Sequence, residues 1–131
     1  MLKKTITYVD YDNVTRTEDF YFNLTLAELQ EMELTTPGGY AALLRKIVDE
    51  KNVPEIYKIF KKFVLQSYGV KSADGRRFIK SEELSKEFTE TPAYGVLLDE
   101  LTSNENSGAE FINAIMPPDL AKKVAEMNIK N

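Results

Sequence analysis

The sequence predicts an α+β protein, mostly α-helical with an N-terminal β-hairpin. Three observations carry that prediction. Residues 4–9 and 15–22 are rich in β-branched and aromatic side chains around Asp10-Tyr11-Asp12-Asn13, whose Asp-Asn pair tolerates the positive φ of a tight turn. From Thr25 onward, apolar residues recur at about 3.6-residue spacing instead of alternating. The 131 residues are 43% hydrophobic and 29% charged, enough to bury a core with neither a disulfide nor a metal. The expected organisation is one domain over 1–131, with 1–22 as the hairpin and 25–128 as a helical body.

The hairpin opens the chain. Two strands alone are marginal in water, so they must lie on the helices or pair with another chain. Thr25-Leu26-Ala27-Glu28 has the form of a capping box, which starts a short helix carrying Leu26, Leu29 and Met32. Thr36-Pro37-Gly38-Gly39 interrupts it, and Tyr40, Leu43, Leu44, Ile47 and Val48 form the stripe of a second helix. Pro54 starts a third, burying Ile56, Ile59, Phe60, Phe63 and Val64, with Gly69 suited to its C′ position. Residues 71–79 read as a loop with a tight Asp74-Gly75 turn. Ser81 caps a short helix holding Leu84 and Phe88, and Thr91-Pro92 opens another with Tyr94, Leu97, Leu98 and Leu101. A helix from about Asn104 aligns Phe111, Ile112, Ile115 and Met116. Pro117-Pro118 stops it, and a last helix carries Leu120, Val124 and Met127, making about seven in all.

Composition excludes several chemistries. The chain has no Cys and no His, so it has no thiol nucleophile, thiolate or imidazole metal site, or Ser-His-Asp triad. A carboxylate–Mg²⁺ site stays chemically open, but no acidic pair carries a surrounding signature. The two loops that approach a calcium pattern both fail it. Around Gly75 the first ligand and the closing glutamate are missing, and after Asp10 and Asp12 come Val14 and Thr15 instead of a third ligand and a glycine. No cofactor is expected. No stretch approaches 18 apolar residues, and the start lacks the apolar core of a secretory leader, so no membrane association is expected.

Charge is uneven. Residues 56–80 hold seven basic and one acidic side chain, whereas residues 81–110 hold eight acidic and one basic. The blocks either fold against each other or make a two-faced surface. Lys58, Lys61 and Lys62 share a helix face, with Arg76, Arg77 and Lys80 in or beside the next loop. With Tyr57, Tyr68 and Phe78 as stacking platforms, this block supports an alternative reading as a small nucleic-acid-binding regulator. The net charge of −4 weighs against nucleic acid, since such modules carry a basic excess. The seven tyrosines suit either the rim of the core or a protein interface.

The string Tyr68-Gly69-Val70-Lys71-Ser72-Ala73-Asp74-Gly75-Arg76-Arg77-Phe78-Ile79-Lys80-Ser81, continued by Glu87-Phe88-Thr89-Glu90-Thr91-Pro92-Ala93-Tyr94, resembles the tail assembly chaperones of tailed bacteriophages and prophages of Gram-positive bacteria. The likeness reaches forward to Phe111-Ile112-Asn113-Ala114-Ile115-Met116-Pro117 and back to the hairpin and Phe20-Tyr21-Phe22-Asn23-Leu24-Thr25. It implies a non-enzymatic protein of the host bacterial cytoplasm that binds the phage tape measure protein. The client would stay soluble until tail tube protein polymerises around it, and the chaperone would be absent from the mature virion. Further implied partners are a second copy and a longer form made by ribosomal frameshifting.

The family brings no catalytic, cofactor or metal residues. Its matching motif falls on Asp74, Gly75, Arg76, Arg77, Phe78 and Tyr94. Asp74-Gly75 are expected to form the turn, Arg76 and Arg77 to join the basic loop to the acidic helices, and Phe78 to anchor the loop. The partner-binding candidates are Arg76, Arg77, Phe78, Tyr94, Lys58 and Lys62. A long helical client calls for an apolar groove, and the open hairpin edge offers a second contact by strand addition to a neighbour or client.

Overall fold

Asp10 closes the hairpin with both its backbone and its side chain. Its N–H donates to the Val14 carbonyl at 2.9 Å, Oδ1 accepts from the N–H groups of Asp12 and Val14, and Oδ2 accepts from Arg16 Nε at 2.5 Å. Asn13 takes the positive φ of the turn, 63°. The strands β1 (Leu2–Val9) and β2 (Thr15–Phe22) then pair antiparallel without a bulge, from Leu2↔Phe22 to Val9↔Thr15. One face is buried through Ile6 and Phe22, and the other carries exposed Lys3, Thr5, Thr7 and Val9. These contacts come from a computed structural model that describes residues 1–39, 42, 45 and 53–117.

The hairpin belongs to a larger sheet than expected. Strands β3 (Tyr68–Lys71) and β4 (Phe78–Ile79) extend it in the order β1-β2-β3-β4, every pairing antiparallel. The segment read as a loop is thus a second hairpin within the supposed helical body. Its turn is as expected, with Gly75 at φ 75° and Gly75 N–H donating to the Ser72 carbonyl. Four- and two-residue strands are too short to show alternation, and they form because β2 offers an edge to pair with. Gly69 is correspondingly not a helix C′ residue: it sits in β3 opposite Tyr21, and a Cβ there would lie 2.7 Å from the Phe78 ring.

Five helices occur among the described residues, so the count of seven overstates what they hold: α1 (Leu26–Thr35), α2 (Val53–Ser67), α3 (Glu82–Thr89), α4 (Pro92–Ser103) and α5 (Glu105–Ile115). The helices expected around Tyr40, Leu43, Leu44, Ile47 and Val48, and around Leu120, Val124 and Met127, lie outside the described residues. The caps expected at Thr25 and Ser81 are present, and Asn104 caps α5; Thr91, expected to cap α4, makes no side-chain cap bond, its hydroxyl donating to the Phe88 carbonyl while Pro92 starts the helix. Helices α4 and α5 lie against β1, α2 packs on α4 and α5, and α3 lies against β3 and α4.

The core is knitted by aromatic rings. Phe22, fully buried, lies 5.4 Å from Phe111, 5.8 Å from Phe88 and 5.8 Å from Tyr68, between ring centroids. Phe88 stacks on Tyr68 at 4.5 Å and meets Phe20 and Tyr94. Six rings from β2, β3, α3, α4 and α5 thereby share one cluster. The segment leading from β2 to α1 is fixed by Asn23 N–H donating to the Ser67 carbonyl and Leu24 N–H donating to the Ile115 carbonyl.

Candidate functional site

Helices α1, α2 and α3 leave an open cleft of about 770 Å³ between them. Its apolar lining is Leu24, Met32, Leu65 and Tyr94, and charged residues at its edge include Glu31, Lys61, Glu82 and Lys86. Local sequence sets each wall. The Thr25 capping box fixes where α1 starts, so Leu29 and Met32 turn inward. The apolar stripe of α2 goes to the core and leaves Lys61 exposed at the mouth. Ser81 caps α3, and Ser85 Oγ donates to the Leu65 carbonyl at 3.0 Å, tying α3 to α2.

One side of the cleft is held by Lys80. Its Nζ donates to the Asn23 carbonyl at 2.5 Å and to both carboxylate oxygens of Glu28 at 2.7 Å, while lying 5.7 Å from the centre of the Phe78 ring. Glu28 also accepts from Thr25 N–H as the reciprocal half of the capping box. Burial pushes the Glu28 carboxyl up, but the hydrogen bonds from Lys80 and Thr25 outweigh it and hold the group below the usual carboxylate range. The hydroxyl of Tyr94, which also lines the cleft, is buried with no hydrogen-bond partner among the described residues. Burial, with a smaller contribution from Tyr57, raises its pKa.

The structure brings few of the sequence-expected residues together. Tyr94 lines the cleft, with its ring edge-on to Phe88. Phe78 is half-buried over Gly69, so it anchors its loop to the sheet instead of entering the central cluster. Arg76 and Arg77 do not join the acidic helices. Both are exposed, neither forms an ion pair among the described residues, and their backbone N–H groups serve the turn by donating to Asp74 and Ser72. Lys58 is exposed and lies 3.8 Å from Glu55, and Lys62 is exposed on the same helix. Leu24, Met32, Leu65 and the Lys80–Glu28 clasp escaped sequence reasoning as a site. Glu28 was legible as a cap, but nothing in a sequence shows that a lysine 52 residues away closes on it.

Electrostatics bears on the other readings. Among the described residues no ion pair joins the 56–80 block to the 81–110 block, so the two blocks do not neutralise each other. Tyr68 is stacked on Phe88 and is not a free platform for a base, and Lys80 is engaged by Glu28. Asp10 and Asp74 use their carboxylates as turn caps, which holds both below the usual range. For Asp10 the chief cause is Arg16, followed by Val14 N–H; for Asp74 it is Arg76 N–H, followed by the Ser72 hydroxyl. Among the described residues no three acidic side chains converge as a metal site would need. No helix among them is long and apolar enough to cross a membrane.

A family model described as phage tail assembly chaperone aligns with residues 1–130. Searches of curated proteins and of solved structures give no match. Because that alignment covers nearly the whole chain, hairpin, sheet and cleft together, the protein belongs to the phage tail assembly chaperone family, which is non-enzymatic.

Proposed function

We propose that this chaperone binds the tape measure protein of its phage and keeps it soluble while the tail tube polymerises around it. The work takes place in the cytoplasm of a Gram-positive host, and the chaperone is left out of the finished virion. The observation that carries this reading is the cleft: apolar at its base, charged at its mouth and open along its length between three helices. An amphipathic client helix is the ligand such a groove suits, its apolar face against Leu24, Met32, Leu65 and Tyr94 and its polar edges near Lys61 and Glu82. Methionine and leucine side chains adapt to varied segments, as a chaperone of a long client requires. Several weak contacts along one client give a firm hold. Arg76, Arg77, Phe78, Lys58 and Lys62 are proposed as flanking contacts, and a frameshifted longer form as a second agent at the same client.

The test is co-expression with the tape measure protein of the same phage, followed by pull-down. The client is expected in the soluble fraction and on the chaperone. A client that stays insoluble with this chain, and again with any frameshifted form, contradicts the proposal.

A further inference from the structure

One edge of the sheet is β1, eight residues long like β2, and the other is the two-residue β4. β1 spans Leu2–Val9, and among the described residues nothing pairs with its outer side. Two hydrogen bonds show which residues face that side. Asp10 N–H donates to the Val14 carbonyl across the β1–β2 register, so every second pair back from there is a hydrogen-bonded pair: Tyr8/Arg16, Ile6/Glu18, Lys4/Phe20 and Leu2/Phe22. On the far side of β2, Asn23 N–H donates to the Ser67 carbonyl in step with Tyr21↔Gly69, so the odd residues of β2 turn to β3 and its even ones to β1. The intervening pairs carry the close side-chain contacts expected of them, Thr5 Oγ1 to Asp19 at 2.6 Å and Thr7 Oγ1 to Thr17 Oγ1 at 2.9 Å. Lys3, Thr5, Thr7 and Val9 therefore aim their backbone N–H and C=O groups at the open edge.

Apart from exposed Lys3, this edge lacks the usual guards. It has no proline and no bulge, and its inward lysine, Lys4, is answered by Glu100 at 2.8 Å. The charge order along the hairpin is directional. It begins with Lys3 and Lys4 and ends at the Asp10–Asp12 turn, where Asp12 is exposed and has no ion pair among the described residues.

We infer that β1 pairs antiparallel with β1 of a second copy, joining two four-stranded sheets into one continuous sheet about a twofold axis at Ile6. In an antiparallel pair the basic start of each strand meets the acidic turn of the other, twice over. Bonding through odd residues on both strands allows only twofold axes that fall on a residue, and other registers turn one copy's core face outward. An axis at Lys4 sets the two Lys4 side chains opposite each other. An axis at Thr5 carries the Asp10–Asp12 turn past the partner's Leu2 and away from its lysines, and an axis at Thr7 leaves Lys3 and Lys4 without strand partners. The axis at Ile6 uses residues 3–9 in full: Lys3 opposite the partner's Val9, Lys4 opposite the partner's Tyr8 and Thr5 opposite the partner's Thr7. Paired strands with few added contacts hold weakly, so the dissociation constant is expected on the order of 10–100 µM.

Sedimentation equilibrium of the full chain over about 1–500 µM, a range spanning that constant, reads the association directly. The expected result is a rise from 15.0 kDa toward twice that mass. Thr5→Pro removes a donor that β2 does not use and is expected to leave a monomer with unchanged circular dichroism. Should Thr5→Pro lose its fold, a Thr5→Lys, Thr7→Lys double variant replaces it. That variant is expected to be monomeric alone and to dimerise when mixed with the Thr5→Glu, Thr7→Glu double variant. A wild-type chain monomeric throughout the range overturns the inference, as does a dimer that survives the edge substitutions. An edge open to hydrogen exchange in the concentrated free protein and protected only in complex with the client assigns the edge to the client and also overturns it.

Discussion

Lys80 satisfies three oxygens at once and so links the end of β4 to the start of α1. Replacing it with Met keeps the stem and removes the charge, leaving the Asn23 carbonyl and the Glu28 carboxylate without their donor. Because both partners are partly exposed, the expected loss is about 1–2 kcal/mol at pH 7, measured by urea unfolding. The pH dependence follows from the direction of the Glu28 shift. Its pKa is lower folded than unfolded, so its stabilising contribution is full above the ordinary glutamate value of about 4.3 and disappears as pH falls through the folded value. Between pH 5 and pH 3 the wild type should lose more stability than Lys80→Met. Parallel pH curves for the two proteins would remove the clasp from the account. Tyr94 predicts the opposite sign. Its hydroxyl is buried and unpaired, so Tyr94→Phe should stabilise the free protein by about 0.5–1 kcal/mol.

Elements meet most tightly where glycine permits it. A Cβ on Gly69 would stand 2.7 Å from the Phe78 ring and 2.8 Å from the Ile79 carbonyl oxygen, so Gly69→Ala should push β4 off β3 and cost about 1–3 kcal/mol. Gly95 lies inside α4 with open space around its missing Cβ, and Gly95→Ala should stabilise by about 0.8–1 kcal/mol. Thermal unfolding of the two variants checks both signs. The same contrast explains what could be read from the sequence. Hairpin, helix starts and core positions were legible because Thr25, Ser81, Pro92 and the apolar stripes act through neighbours three or four residues away. Strands β3 and β4 were not, because a glycine after a helical run reads as a cap unless one knows that β2 waits beside it. The cleft was half legible: Tyr94 and Glu28 stood out, but their meeting with Lys80, Met32 and Leu65 depends on three helices packing together.

At the scale of the whole molecule, sheet, cleft and charge divide the surface. The sheet presents a threonine-lined face and an open edge, the cleft opens between α1, α2 and α3, and the basic and acidic blocks remain unpaired with each other. A client helix in the cleft and a second copy at the edge use separate surfaces, so one need not displace the other. The claim that the cleft receives the tape measure protein is tested most directly by site-specific photo-cross-linking in co-expressing cells. A photoreactive residue would replace Lys61 at the cleft mouth, or Val70, which is exposed on β3 outside the cleft. Capture of the tape measure protein from position 61 and not from position 70 is the predicted result. Capture from position 70 alone would contradict it and place the client on the sheet.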